Sequence, residues 1–251
     1  MSLTLATIAS GSSGNANLII SENALIMSDC GISGKKVFSG LEALGLKSPD
    51  ALLITHSHSD HTKGANIICK KYNIPVYMTK ETYSECSFIP EEFVRFILPD
   101  EEFTISGIRI HPFSVSHDTK NPVAYTFSTT DDKASVVTDT GIFTSEMFSH
   151  IKGSKSIIIE SNHDEKMLLE GPYPYFLKRR IAGDKGHMSN RLCASVASAL
   201  LKNGTKNFML SHISEHNNTE ALAFSESDKT LSETGLPYTL RIAKKDVPTV
   251  L

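Results

Sequence analysis

The chain has 251 residues, 40% of them hydrophobic and 21% charged, which suffices for one large core and excludes a disordered or collagen-like chain. Twenty-eight acidic against 25 basic residues give a formal charge of -3, so no global positive field draws the chain onto nucleic acid, and any such role needs a local patch. No apolar run nears the roughly 20 residues of a membrane helix, the first residues lack the basic start of a signal peptide, and the scattered Cys30, Cys69, Cys86 and Cys193 make no disulfide framework; the expectation is a cytoplasmic protein with no membrane partner and an oligomeric state the sequence leaves open.

In chain order, apolar runs of strand length are predicted at residues 3–9, 17–20 and 24–27, separated by Gly-Ser and Ser-Glu-Asn turn signals. Val37, Leu41 and Leu44 recur at helical spacing, closed by Gly45. Further strands are predicted at 51–54, 76–78, 108–115, 123–128, 134–138, 156–159 and 207–210, and helices at 66–72, 190–201 and 219–232. No linker or repeat interrupts the pattern, so residues 1–251 are read as a single domain of layered sheets covered by helices.

The strand at 51–54 runs directly into Thr55-His56-Ser57-His58-Ser59-Asp60-His61, an H-x-H-x-D-H array. Independent draws would give this pattern in about one such chain in a thousand. In an extended segment, residues two apart point the same way, so His56 and His58 can face one ion; a turn into a helix would swing Asp60 and His61 toward a second. Imidazole mixed with carboxylate suits Zn, Mn or Fe better than Ca or Mg. The remaining ligands are sought at other strand ends, where His117, Asp139 and His212 each stand just past an apolar run.

With Gly64, Asp29-Cys30-Gly31, Ser116-His117, Thr138-Asp139-Thr140-Gly141 and Ser211-His212, this array resembles the metallo-β-lactamase fold superfamily. The opening Ala9-Ser10-Gly11-Ser12-Ser13-Gly14-Asn15, the stretch Glu160-Ser161-Asn162-His163-Asp164 and the stretch Gly186-His187-Met188-Ser189-Asn190 are similar to its YycJ/VicX branch of exonuclease-like proteins, related to ribonuclease Z. The resemblance implies an α/β, four-layer αββα sandwich with two divalent metal ions at one edge. It implies that His56, His58 and His117 hold the first ion, that Asp60, His61 and His212 hold the second, and that Asp139 bridges them. Asp29 would orient a ligand histidine from behind, with a turn-capping role as the competing reading.

Between Tyr175 and Arg191 lie Lys178, Arg179, Arg180, Lys185 and Arg191, five of the 25 basic residues in 17 positions, where even spreading would give about 1.7. This local positive patch surrounds His187, whose Gly-His-Met-Ser context resembles the ribonuclease Z motif that supplies a histidine to the scissile phosphate. Glu160 matches the position that pairs with that histidine and favours its protonated form. The expected activity is hydrolysis of phosphodiester bonds in nucleic acid, as in a DNA exonuclease, with Asp60 or Asp139 orienting the attacking water and His187 protonating the leaving oxygen. Ser12, Ser13 and Asn15 are candidate phosphate donors, and His163 and Asp164 candidate cleft residues. His111, His150 and His216 carry no motif and are read as structural or surface residues. Only 72 residues separate Asp139 from His212, too few for a β-CASP insertion, and the Gly-rich arm by which ribonuclease Z holds tRNA is missing. Two alternatives stand beside the nuclease: a hydrolase of a small ester, thioester or cyclic phosphodiester, for which the basic patch need not face the metals, and a non-hydrolytic di-metal redox or binding protein.

Overall fold

The computed structural model describes residues 1–251. Two seven-stranded sheets lie face to face. The first runs β14-β1-β2-β3-β4-β5-β6, from β1 (Thr4–Ala9), β2 (Ala16–Ile20), β3 (Leu25–Ser28), β4 (Ala51–Leu53), β5 (Val76–Met78), β6 (Val94–Phe96) and the late β14 (Thr249–Val250). The second runs β13-β12-β11-β10-β9-β8-β7, from β7 (Phe103–Ile105), β8 (Ile108–Ser114), β9 (Val123–Ser128), β10 (Lys133–Val137), β11 (Ser156–Glu160), β12 (Asn207–Ser211) and β13 (Thr239–Ile242).

The layering follows from the two-residue period of a strand. In β1, Leu5 faces the opposite sheet while Ala6 and Ile8 face outward; in β4, Leu53 and Leu52 divide likewise. In β11, Ile158 faces the first sheet, and Ile157 and Ile159 face away. Strands apolar on both sides need cover on both sides. Val37 and Leu41 of α1 (Gly34–Ala43), with Ile68 and Cys69 of α3 (Ala65–Tyr72), cover the first sheet. Met147 and Ile151 of α5 (Ser145–Ile151), Val196 and Leu200 of α8 (Asn190–Leu201) and Leu231 of α9 (Glu220–Ser232) cover the second. The result is the αββα sandwich, with one apolar layer between the sheets and one under each set of helices.

Every predicted strand forms, with ends shifted by at most one residue, as do the predicted helices. The sequence reading misses the shorter pieces: α2 (Ser59–Thr62), α4 (Lys80–Glu85), α5, α6 (Glu165–Glu170), α7 (Tyr175–Ile181) and the edge strands β6, β7, β13 and β14. These are too short, or too mixed in exposure, to carry a hydrophobic period. All four cysteines are buried and free, and no helix is long and apolar enough to cross a membrane.

Topology gathers the chemistry at one rim. β10, β11 and β12 are mutually parallel, and β8 and β10 are each antiparallel to β9, so all four deliver their C-terminal ends to the same side. β3 and β4, also parallel, do the same in the first sheet. The rims are tied across the sandwich: Val123 N–H donates to Thr55 O at 3.0 Å, the buried Tyr125 hydroxyl to Ile54 O at 2.8 Å, and His212 N–H to Ser10 Oγ at 2.8 Å.

Candidate metal centre and its cleft

Three turns of the first sheet are clamped together before any side chain is considered. Gly31 N–H donates to Asn15 O at 2.7 Å, Asn15 N–H to Asp60 O at 2.8 Å and Cys30 N–H to His61 O at 2.7 Å. Gly31 is required there, because a Cβ would lie 1.6 Å from Asp60 O. Asp29, Asp139 and His212, each just past a strand, adopt left-handed φ of 64°, 57° and 53°. Such backbone is strained for a non-glycine residue and persists where the surroundings dictate it, typically at functional sites.

On this frame the array converges. His56 Nε2 and His58 Nδ1 are 3.2 Å apart, and His117 Nε2 is 3.3 Å from the same His58 atom. Beside this trio, Asp60 Oδ2 is 3.4 Å from both His61 Nε2 and His212 Nε2. Asp139 lies between the groups, with Oδ2 3.3 Å from His61 Nε2 and Oδ1 3.8 Å from His117 Nε2. Around a tetrahedral ion with bonds of roughly 2.0–2.1 Å, neighbouring ligand atoms sit about 3.3 Å apart.

The outer nitrogen of most of these rings is tied down, which fixes the tautomer that turns a lone pair inward. His61 Nδ1 donates to Asp29 Oδ2 at 2.9 Å, and His117 Nδ1 to Gly186 O at 3.0 Å. His212 Nδ1 donates to Glu160 Oε1 at 2.9 Å. His56 Nδ1 is 2.9 Å from Thr55 Oγ1, which in turn donates to Asp29 at 3.0 Å. Asp139 Oδ2 is buried with no hydrogen-bond partner. An orphaned carboxylate oxygen is costly unless a cation meets it, so the donor set fits divalent metal.

The charges agree. Burial opposes a charged His61, but the carboxylates of Asp139, Asp29 and Asp60 outweigh it and hold the ring well above its ordinary pKa. His212 shows the same balance and is pushed up to about 10, with Asp139, Asp60 and Glu160 as the opposing anions. His56 is driven well below its ordinary value by burial and by the neighbouring histidines. Asp60, against the cost of its own burial, is held far below the carboxylate range by His61 and His212. Without metal, His61 and His212 are therefore charged at pH 7, and a metal must displace both protons. Loading of the position formed by Asp60, His61 and His212 is expected to release about two protons at pH 7, and its affinity to rise about a hundredfold per pH unit. Titration calorimetry in buffers of different ionisation enthalpy measures this. The sign for stability follows: a raised histidine pKa stabilises the metal-free fold below about 6.5, and that contribution fades as pH climbs toward about 10.

Beyond the ligands, His187 stands at the mouth of the centre, one-fifth exposed, with Nδ1 2.7 Å from Glu160 Oε1. Glu160 is fully buried; its Oε1 accepts from both His187 and His212, and its Oε2 from the backbone of Thr140 at 3.2 Å and Met188 at 3.1 Å. One carboxylate thus orients two imidazoles. The basic patch reaches the same mouth. Arg180 Nε pairs with Asp118 Oδ2 at 2.5 Å, and Asp118 Oδ1 lies 3.5 Å from His117 Nε2 and 3.7 Å from His58 Nε2. His163, His187 and Arg191 line one cleft, which continues along His163, Tyr175, Lys178 and Arg179. Tyr175 and Phe176 are about three-quarters exposed beside these cations.

Several expectations are corrected. Asn15 does not offer its side chain to a phosphate: it is buried, Oδ1 accepts from Gly11 N–H at 3.0 Å, and Nδ2 lies 3.2 Å from His61 Nε2. Ser12 and Ser13 remain exposed on the turn. Asp164 is not free to line the cleft, because its carboxylate caps α6 by accepting from Met167 N–H at 2.8 Å. Lys178 is committed to Leu169 O at 2.6 Å, and Arg179 lies 6.0 Å from the Tyr175 ring centroid. Sequence reasoning missed Thr55, Asp118 and Gly186; Thr55 and Asp118, each next to a ligand histidine, carry the only local signal.

Comparisons with known proteins agree with the geometry. A family model described as beta-lactamase superfamily domain matches residues 26–213. Exodeoxyribonuclease YycJ of Bacillus anthracis is 35% identical over 246 residues, covering 94% of this chain and 91% of that protein. Exodeoxyribonuclease WalJ of Streptococcus pneumoniae is 33% identical over 237 residues, covering 91% and 88%. The crystal structure of the metallo-beta-lactamase fold protein YhfI from Bacillus subtilis aligns with TM-score 0.73 over 99% of this chain and 100% of that one, at 15% identity.

Proposed function

The chain belongs to the beta-lactamase superfamily and, within it, to the family of the YycJ and WalJ proteins, and on that footing we propose that it is a metal-dependent phosphodiesterase that degrades DNA from its ends. The observation that carries this reading is the mouth of the centre: His187, held by Glu160, shares one cleft with Arg191, Lys178 and Arg179 line its continuation past His163, and Arg180 reaches the ligands through Asp118. A small ester or thioester would need the histidines and carboxylates but no basic track beside them.

His56, His58 and His117 would hold one divalent ion, of the zinc, manganese or iron class, Asp60, His61 and His212 a second, and Asp139 both. When bound, such ions supply Lewis acidity, activate water near neutral pH and offset charge that builds on the phosphate. The chain's own groups supply the rest. Asp60 and Asp139, facing the ligand histidines from the cleft side, would orient the attacking water. Arg180, braced by Asp118, offers guanidinium charge to a phosphate, and Arg191, paired with Glu165 at 3.2 Å, adds a second cation to the lining of the cleft. His187 has Nδ1 committed to Glu160, so Nε2 is its free atom, and a proton given from there neutralises the departing sugar oxygen. Asp29 and Thr55 keep His61 and His56 aimed inward. Tyr175 and Phe176 present exposed rings on which unpaired bases at a strand end can stack.

End-labelled DNA and RNA digested with the manganese- or zinc-loaded protein test this reading. Stepwise shortening of DNA from an end is expected, with salt-sensitive binding that Arg180→Ala and Arg191→Ala weaken. Faster turnover of a thioester or carboxylic ester than of any phosphodiester would return the weight to a small-substrate hydrolase.

A further inference from the structure

A second group of metal-type side chains lies outside the centre and shares no residue with it. His111 projects from β8, His150 from α5 and Asp100 from the turn between β6 and β7. His111 Nε2 is 3.5 Å from Asp100 Oδ1, and His150 Nε2 is 3.6 Å from the same oxygen. These separations are long for hydrogen bonds and close to the spacing of ligand atoms around one ion, about 3.3 Å for a tetrahedral site. They also match the spacing within the trio His56, His58 and His117.

The surroundings are those of a ligand set. His111 Nδ1 lies 3.4 Å from Glu102 Oε1, so the carboxylate can accept from Nδ1–H and favour the tautomer with its lone pair on Nε2. That Nε2 is buried and has no hydrogen-bond partner. His150 is held in place by its ring stacked on Phe113, with centroids 4.9 Å apart. Burial, and then the neighbouring His111, keep the His150 ring below its ordinary pKa, so at pH 7 it is neutral and free to ligate. Asp100, whose side chain is 57% exposed, leaves the site open to solvent for ion entry and for completing waters. Its left-handed φ of 65° is fixed by an Asp100 N–H to Pro112 O hydrogen bond of 2.8 Å.

We propose that Asp100, His111 and His150 form an additional transition-metal site, with Glu102 behind His111, that takes one divalent ion of the zinc, cobalt or nickel class. Two imidazoles and one carboxylate select such ions over Mg or Ca. The ion would pin α5 and the turn after β6 onto β8. Both β8 and the segment before α5 lead to residues of the main centre, His117 and Asp139, so the site stiffens two of its supports from outside.

Equilibrium dialysis of the full-length protein against CoCl2, with cobalt counted per chain, tests the site. Asp100→Asn keeps the shape, tolerates the left-handed backbone and leaves the His150–Phe113 stack untouched, so it carries the test without threatening the fold. It is expected to bind one equivalent fewer than the unaltered protein and to lose the part of the metal-induced rise in Tm that belongs to that equivalent. His150→Phe, which preserves the stack, is expected to show the same deficit, and millimolar MgCl2 to leave the unaltered protein's count unchanged. The comparison is a difference between proteins that share the main centre, so its result stands whether or not that centre hydrolyses DNA. Equal cobalt counts for the unaltered protein and Asp100→Asn would overturn the proposal.

Discussion

Asp139→Asn is expected to cost more than about a thousandfold in DNA hydrolysis and to lower the metal content of the main centre from two ions to one or fewer. Asp139 is the one carboxylate within 4 Å of both histidine groups, and its Oδ2 is buried with no other partner. Asparagine keeps the volume and tolerates φ of 57°, whereas alanine would add backbone strain of about 1 kcal/mol to the loss of charge. Asp139→Ala therefore belongs beside it as the harsher variant. Elemental analysis reads the metal, and circular dichroism separates loss of function from loss of fold. Near-normal turnover in Asp139→Asn with two ions retained would remove Asp139 from the centre.

The second large effect concerns His187. If Nε2 donates to a poor alkoxide leaving group, His187→Ala is expected to lose about two to four orders of magnitude on DNA. A nitrophenyl phosphodiester, whose leaving group needs little protonation, is expected to lose far less. Glu160 cannot be used as a substitute probe, because its Oε1 also holds His212 and its change would disturb a ligand. Equal losses on both substrates would mean that His187 holds phosphate or structure and is not the acid.

Much of this was legible because the chemistry sits where the backbone period places it. His56 and His58 share a side because the chain there is extended, and Asp60 and His61 turn away because α2 begins at Ser59. His117, Asp139 and His212 were found as polar residues at the ends of apolar runs, and the topology carries those ends to one rim. What escaped notice depends on contacts distant in sequence. Nothing around Asp118 announces that Arg180, 62 residues on, will brace it against His58 and His117. Asn15 sits in a Gly-Ser loop that reads as a phosphate cradle, yet its amide turns inward, with Oδ1 accepting from Gly11 N–H and Nδ2 reaching Asp60 O and His61. Asp164 reads as a cleft residue from its neighbours Asn162 and His163, but the start of α6 claims its carboxylate as a cap. His111 and His150, 39 residues apart and without a motif, meet only because α5 packs on β8. The left-handed backbone at Asp29, Asp139 and His212 left no mark either, since no glycine stands at those positions.

The proposed nuclease activity requires two ions in the main centre. Its most direct test is a titration in which metal-stripped Asp100→Asn protein, freed of the additional site, is reloaded stepwise with manganese while bound metal and DNA hydrolysis are read on the same samples. No hydrolysis is expected without metal, and activity is expected to reach its plateau at two ions per chain. Full hydrolysis by the stripped protein, or a plateau at one bound ion, would contradict this requirement.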